Sequence, residues 1–204
     1  MSISQNHGLI CKIDKLLQDN VTPIIITIGG PTASGKTTLV RQLNQYYSSK
    51  LALLDTDSYY IGQIAMQRQL PPKLASNFDI PEACNLTLLT EHLRSLKSGN
   101  VIKKPVYDMS TRSPTNKSVV VNPHKLIVVE GIFANQPIIT KFADITICVT
   151  APFETRLARR IERDLALRNY SSNQTRSYML KQAEQAYNLY LKEFDDNADY
   201  LISG

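Results

Sequence analysis

Short, uninterrupted apolar runs separated by longer amphipathic stretches set the rhythm of this chain. PIIIT at 23–27, LALLD at 51–55, KLIVVEG at 125–131 and DITICVT at 144–150 carry almost no polar alternation. That pattern predicts strands buried on both faces, since a strand with one wet side alternates. DYLIS at 199–203 predicts a closing strand. Helical spacing falls between the runs: at 9–17, from Thr37 to Tyr47, from Leu86 to Lys97 before Gly99, after Pro152, and at 178–194. In the last of these, Met179, Ala183, Tyr187, Tyr190 and Phe194 share one helical face. Buried strands alternating with helices predict an α/β domain, a parallel sheet with helices on both faces. Ligands of such sheets bind beyond the carboxyl ends of the strands.

The first strand runs directly into GGPTASGKTT, where Gly30-x-x-x-x-Gly35-Lys36-Thr37 fits the phosphate-binding loop pattern between a strand and a helix. Glycines let successive backbone N–H groups turn toward an anion, and the helix behind adds its positive end. This makes the chain a P-loop NTPase-type α/β protein. Gly30, Thr32, Ala33, Ser34, Gly35, Lys36, Thr37 and Thr38 are the expected ATP-binding residues. Lys36 is expected to reach the β- and γ-phosphates and the Thr37 hydroxyl to ligate Mg²⁺.

Mg²⁺ takes hard oxygen ligands, usually one or two carboxylates alongside phosphate and water. Glu130 ends LIVVE, and Asp57 lies just beyond LALL. Both are expected to face the metal with Thr37. Asp57 is also expected to accept or orient the proton of an acceptor hydroxyl. Its neighbour Asp55 reads as a turn or cap residue.

Five arginines, Arg156, Arg159, Arg160, Arg163 and Arg168, fall within thirteen residues. Helical spacing gathers Arg156, Arg159 or Arg160, and Arg163 on roughly one face. A solvated basic face is one reading. Beside a γ-phosphate, a helical lid that spreads transition-state charge and excludes water is the other, and it is preferred here.

Composition narrows the partners. The 204 residues allow one sizeable core, and the division expected is a helical extension at 1–20 followed by a P-loop kinase domain at 21–204. The net charge of +5 is concentrated in the arginine stretch, without the interleaved aromatics of a nucleic-acid groove. Cys11, Cys84 and Cys148 are widely spaced and odd in number, which predicts reduced thiols in a cytoplasmic protein rather than disulfides or zinc. No apolar run is long enough for a bilayer.

The order of segments GGPTASGKTT, DTDSYY, NFDIPEA, KPVYD, IVVEGIFA, RLARRIERD and ADYLIS resembles the uridine kinase (uridine/cytidine kinase) family, within the phosphoribulokinase group. The resemblance runs from about residue 24 to the C-terminus. It implies transfer of the ATP γ-phosphate to the 5′-hydroxyl of a nucleoside, with Mg²⁺, and a homo-oligomer. It also implies Asp57 as the catalytic acid, Glu130 and Thr37 on the metal side, and Asp79 holding the ribose hydroxyls. Tyr60, Phe78 and Tyr107 then surround the nucleoside, and Arg160, Arg163 and Arg168 take lid positions, Arg160 beside ATP, Arg163 in catalysis with Lys36 and Asp57, and Arg168 beside the acceptor. A carboxylate suits a vicinal diol on chemical grounds too, since it accepts two hydrogen bonds. The sequence departs from the family at the base-reading end: YDMSTRS has no histidine, Arg168-Asn169-Tyr170 replaces Arg-Gly-Arg, and Tyr178 stands where a glutamine is common. Uridine or cytidine is the first acceptor implied, with another small alcohol such as a pantothenate-like compound or sugar as the alternative. A nucleotide-dependent switch is a third reading, but TNKS at 115–118 lacks the Asp of a guanine-reading segment.

Overall fold

The structure is a computed structural model that describes residues 7–48, 50–168 and 170–204, with the backbone alone at 167 and 168. Its strands are β1 (Ile24–Gly29), β2 (Leu51–Asp55), β3 (Ile102–Asp108), β4 (Ser113–Val121), β5 (Leu126–Glu130), β6 (Ile145–Thr150) and β7 (Tyr200–Ser203). The five apolar runs form one parallel sheet in the order β2-β5-β1-β6-β7. Register brings the ends of three strands level: Ile28 lies beside Glu130, and Glu130 beside Asp55. All six residues of the central β1 are buried, which is what its unbroken apolar run requires.

Alternate side chains of the sheet feed two cores. Ile25, Leu54, Ile127 and Val129 pack on one face with α4 (Leu86–Lys97) and with Phe133. Ile24, Ile26, Ile28 and Val128 pack on the other with Leu39 and Leu43 of α2 (Lys36–Tyr46). Leu9, Ile10 and Ile13 of the N-terminal α1 (His7–Asp19) are buried in that second core.

Two features depart from the sequence reading. The segment from 102 to 121 forms an antiparallel ribbon of β3 and β4, with its register shifting between Pro105 and Tyr107. No strand was expected there because β4 is largely exposed and its one apolar run, Val119–Val121, ends an otherwise polar segment. The single helix expected over 178–194 is instead broken. It comprises a π-turn at Met179–Ala183, α8 (Glu184–Tyr190) and α9 (Lys192–Asp196), introduced by α7 (Ser172–Tyr178). The wider turn shifts the buried face, so Met179 and Ala183 pack on Leu157, whereas Tyr187 and Tyr190 reach the sheet core.

α3 (Gln63–Gln69), α5 (Pro137–Thr140) and the arginine-rich α6 (Phe153–Arg168) complete the helices of the described residues. None of these helices is long and apolar enough to cross a membrane. The three cysteines are free thiols, with Cys84 and Cys148 buried.

Candidate active site

The phosphate loop sits where β1 passes into α2. Gly30 has φ +129°, and a Cβ there would lie 2.1 Å from the Val149 carbonyl oxygen, so only glycine fits the turn. Lys36 Nζ donates to the carbonyl oxygens of Gly30 and Pro31, each at 2.9 Å. Burial lowers the Lys36 pKa, opposed by the charges of Glu130, Asp57 and Asp195. Thr37 and Thr38 open α2 on the exposed side, while Ser34 is buried with its Oγ unpartnered among the described residues. Ala33 adopts a left-handed backbone with φ 60°.

Three oxygen-bearing residues gather beside this loop. Thr37 Oγ1 lies 3.3 Å from Glu130 Oε1, and the charge of Asp57 acts on both Glu130 and Lys36. Burial raises the Glu130 pKa; Lys36 opposes the rise and Asp57 adds to it. A hydroxyl and two crowded carboxylates are a hard donor set that a divalent cation would relieve. No cluster of three or more His, Cys, Asp or Glu side chains fit for a metal occurs among the described residues. That sparse set is what Mg²⁺ uses when phosphate and water fill most of its shell.

Asp55 lies beside Glu130 in the sheet register and its charge adds to the rise in the Glu130 pKa, but its own oxygens are engaged elsewhere. Its Oδ1 accepts from the Ser58 backbone N–H at 2.8 Å, capping the 3₁₀ turn Thr56–Tyr59, and its Oδ2 pairs with Lys104 of β3. Burial alone would raise its pKa, but Lys104 and Ser58 bring it below the ordinary value. The turn leaves Asp57 exposed and Tyr59 buried.

The aromatic wall forms around Tyr60, whose ring centroid is 5.6 Å from that of Phe78, 5.4 Å from Tyr107 and 6.2 Å from Phe133. Tyr60 is buried, and the Tyr107 hydroxyl is buried without a partner among the described residues. Arg112, at the tip of the β3–β4 ribbon, lies 5.9 Å from the Phe78 ring and donates to the Tyr170 hydroxyl at 3.2 Å.

Asp79 is 7% exposed, and its Oδ2 accepts from the Tyr178 hydroxyl at 2.5 Å and from Gln182 Nε2 at 3.3 Å. Arg160 spans the gap to the phosphate loop. Its Cζ lies 4.7 Å from the Tyr178 ring centroid, its Nη1 donates to Thr32 Oγ1 at 2.5 Å, and its Nε donates to Asp164 Oδ2 at 2.9 Å. Thr32, Arg160, Tyr178 and Asp79 thus join the two ends of the cleft in one line of contacts.

The arginines of α6 divide by task. Arg156 is buried in a two-pronged ion pair with Glu184, at 2.6 and 2.9 Å. Arg159 Nη1 reaches the Ser34 carbonyl oxygen at 3.4 Å. Arg163 is more open and lies 3.4 Å from Asp164 Oδ1. The Arg168 side chain lies outside the described residues.

Sequence reasoning did not single out Asp164, Gln182, Asn135 or Asp195. Asp164 could have been found from its i,i+4 relation to Arg160. Asn135 and Asp195 join only in the fold: Asn135 Nδ2 donates to Asp195 Oδ1 at 2.7 Å, and its Oδ1 accepts from Thr27 Oγ1 at 2.7 Å.

A parallel sheet carrying a phosphate loop, metal-side oxygens and arginines at its strand ends defines a P-loop phosphotransferase. Residues 25–203 match the Phosphoribulokinase / Uridine kinase family, and the chain belongs to it. A uridine kinase of Halalkalibacterium halodurans is 37% identical over 145 residues, covering 70% of this chain and 68% of that protein. A uridine kinase of Clostridium perfringens is 31% identical over 182 residues, covering 88% and 86%. The solved D-glycerate 3-kinase of Cryptococcus neoformans shares the fold, with a TM-score of 0.74, 16% identity and coverage of 97% and 90%.

Proposed function

We propose that this chain transfers the γ-phosphate of ATP to the 5′-hydroxyl of a nucleoside, uridine or cytidine, in pyrimidine salvage in the cytoplasm. The observation that supports this reading is the line of contacts from Thr32 of the phosphate loop through Arg160 and Tyr178 to Asp79, which suits a phosphate donor at one end and an acceptor hydroxyl at the other. The match to uridine kinases along most of the chain supports the nucleoside as acceptor.

In this reading the loop from Gly30 to Thr38, including Thr32, Ala33, Ser34 and Gly35, cradles the phosphates. Lys36 neutralises the β- and γ-phosphate charge. Thr37, Glu130 and Asp57 would hold Mg²⁺, which, when bound, offsets phosphate charge. Asp57 accepts or orients the proton of the attacking hydroxyl. Tyr60, Phe78 and Tyr107 wall the nucleoside, and Asp79 holds its sugar hydroxyls. Arg160 and Arg163 face the charge that develops on the phosphoryl oxygens, with Arg168 assigned to the acceptor side. Phosphoryl transfer asks for position and charge compensation more than covalent help from the protein, which is what this set supplies.

ADP release would be followed with MgATP and a panel of nucleosides, sugars and pantothenate. Uridine and cytidine are expected to drive turnover. A flat response to both, with a hit elsewhere in the panel, would overturn the acceptor.

A further inference from the structure

Asp79 is the group best placed to hold an acceptor, and it is already half engaged. Both hydrogen bonds to its carboxylate arrive at one oxygen, Oδ2, from the Tyr178 hydroxyl at 2.5 Å and Gln182 Nε2 at 3.3 Å. A carboxylate has about four lone-pair sites, two on each oxygen. Those at Oδ2 are therefore filled, and acceptor hydroxyls are left with Oδ1, for which no hydrogen bond is found among the described residues.

The donors are not loosely placed. The Tyr178 ring packs against the Leu157–Met179–Ala183 cluster on one side and lies under the Arg160 guanidinium at 4.7 Å on the other. Arg160 is in turn fixed by Asp164 and Thr32. Gln182 Nε2 is also held by Asn77 Oδ1 at 3.2 Å, and Asn77 Oδ1 accepts from the Asp79 backbone N–H at 3.0 Å. Burial keeps the Tyr178 hydroxyl protonated, so it donates and the carboxylate accepts.

We infer that Tyr178 is a specificity-determining residue that reduces the reading of the sugar from two hydroxyls to one, so that this kinase takes 2′-deoxynucleosides nearly as well as ribonucleosides. A carboxylate grips a vicinal diol by a fork, one hydroxyl to each oxygen. With Oδ2 capped the fork is lost: adjacent hydroxyls would have to share Oδ1, and removing one of them leaves no buried oxygen without a partner. This is the condition under which selectivity is weak; strong rejection arises where a missing group strands a buried polar atom. The inference rests on the nucleoside kinase reading given above.

Initial rates with uridine and 2′-deoxyuridine, each with saturating MgATP, test it in the wild-type chain and in Tyr178→Phe. Phenylalanine keeps the ring under Arg160 and removes only the donor to Asp79. The wild-type kcat/KM values are expected to agree within about tenfold, the scale of one net hydrogen bond. In Tyr178→Phe, Oδ2 regains a site, uridine is expected to improve, and its preference over 2′-deoxyuridine to widen by about fivefold or more on the same scale. A purely structural role for Tyr178 would lower both rates together and leave their ratio alone. An unchanged ratio in the variant overturns the inference, as does a wild-type preference for uridine well above about tenfold. If Tyr178→Phe does not fold, that wild-type ratio still decides. Turnover of no nucleoside at all would instead overturn the underlying function, an outcome distinct from turnover of uridine with firm rejection of its deoxy form.

Discussion

Asn135 Nδ2 donates to Asp195 Oδ1 at 2.7 Å, and the pair lies so close beneath the strand leading into the phosphate loop that a Cβ on Gly29 would be 2.3 Å from Asn135 Nδ2. Burial pushes the Asp195 carboxyl up to about 6, against the lowering pull of Asn135 and Lys36. The native state therefore holds this proton more tightly than the unfolded chain. Stability from this group is present at low pH and declines as pH rises from about 4 through about 6. Asp195→Asn removes the titration. Denaturant melts at pH 5 and 7 are expected to show the variant gaining about 1 kcal/mol on the wild type between the two. A pH-independent difference would place the proton elsewhere.

Substitutions at Asp57 and Lys36 are expected to separate transfer from binding. Asp57→Asn is expected to keep ATP binding while turnover falls about 10²- to 10⁴-fold, the usual worth of a positioned acid or base. Lys36→Ala should weaken both. Calorimetric titration with ATP beside ADP-release rates checks the pair, and near-normal turnover in Asp57→Asn would remove its assigned role.

Neighbouring arginines of α6 should fail in different ways. Arg156→Ala breaks the buried pair with Glu184 and is expected to cost about 3 kcal/mol of stability, with folded-protein turnover little changed. Arg160→Ala severs the contacts to Thr32 and Tyr178 and is expected to reduce kcat/KM by tenfold or more, on the order of one charge-assisted hydrogen bond. Thermal melts and initial rates on both variants distinguish the two roles.

Gly131 has φ +143°, and a Cβ there would lie 1.8 Å from Thr56 Oγ1. Gly131→Ala must therefore part β5 from the turn that carries Asp57. A loss of about 2–4 kcal/mol is expected from combined strain and overpacking, read as a shift of the denaturation midpoint.

What the sequence disclosed follows the physics of each part. Strands such as Ile24–Gly29 are buried on both faces, so their apolar runs are plain to read. The phosphate loop is local, its residues being neighbours along the chain. Harder to see was whatever depends on distant segments or on exposed ribbon. The β3–β4 pair is mostly polar and exposed apart from Val119–Val121, and its Tyr107 reaches the Tyr60 ring only because the ribbon folds over. The π-turn at Met179–Ala183 has no composition signal, yet it lies where Tyr178 and Gln182 fall beside Asp79. The Ser171-x-x-Gln174 capping box that starts α7 was a local signal the sequence reading passed over.

The β3–β4 ribbon forms no backbone ladder with the five-stranded sheet, although Tyr107 and Arg112 stand on it. In the proposed roles the donor loop is thus continuous with the backbone of the sheet, while the ribbon beside the acceptor joins the rest through side chains and the Gln63 N–H bonded to the Arg112 carbonyl oxygen. A lineage built on this plan could trade one acceptor for another by altering the ribbon and a turn of helix, and inherit its chemistry untouched.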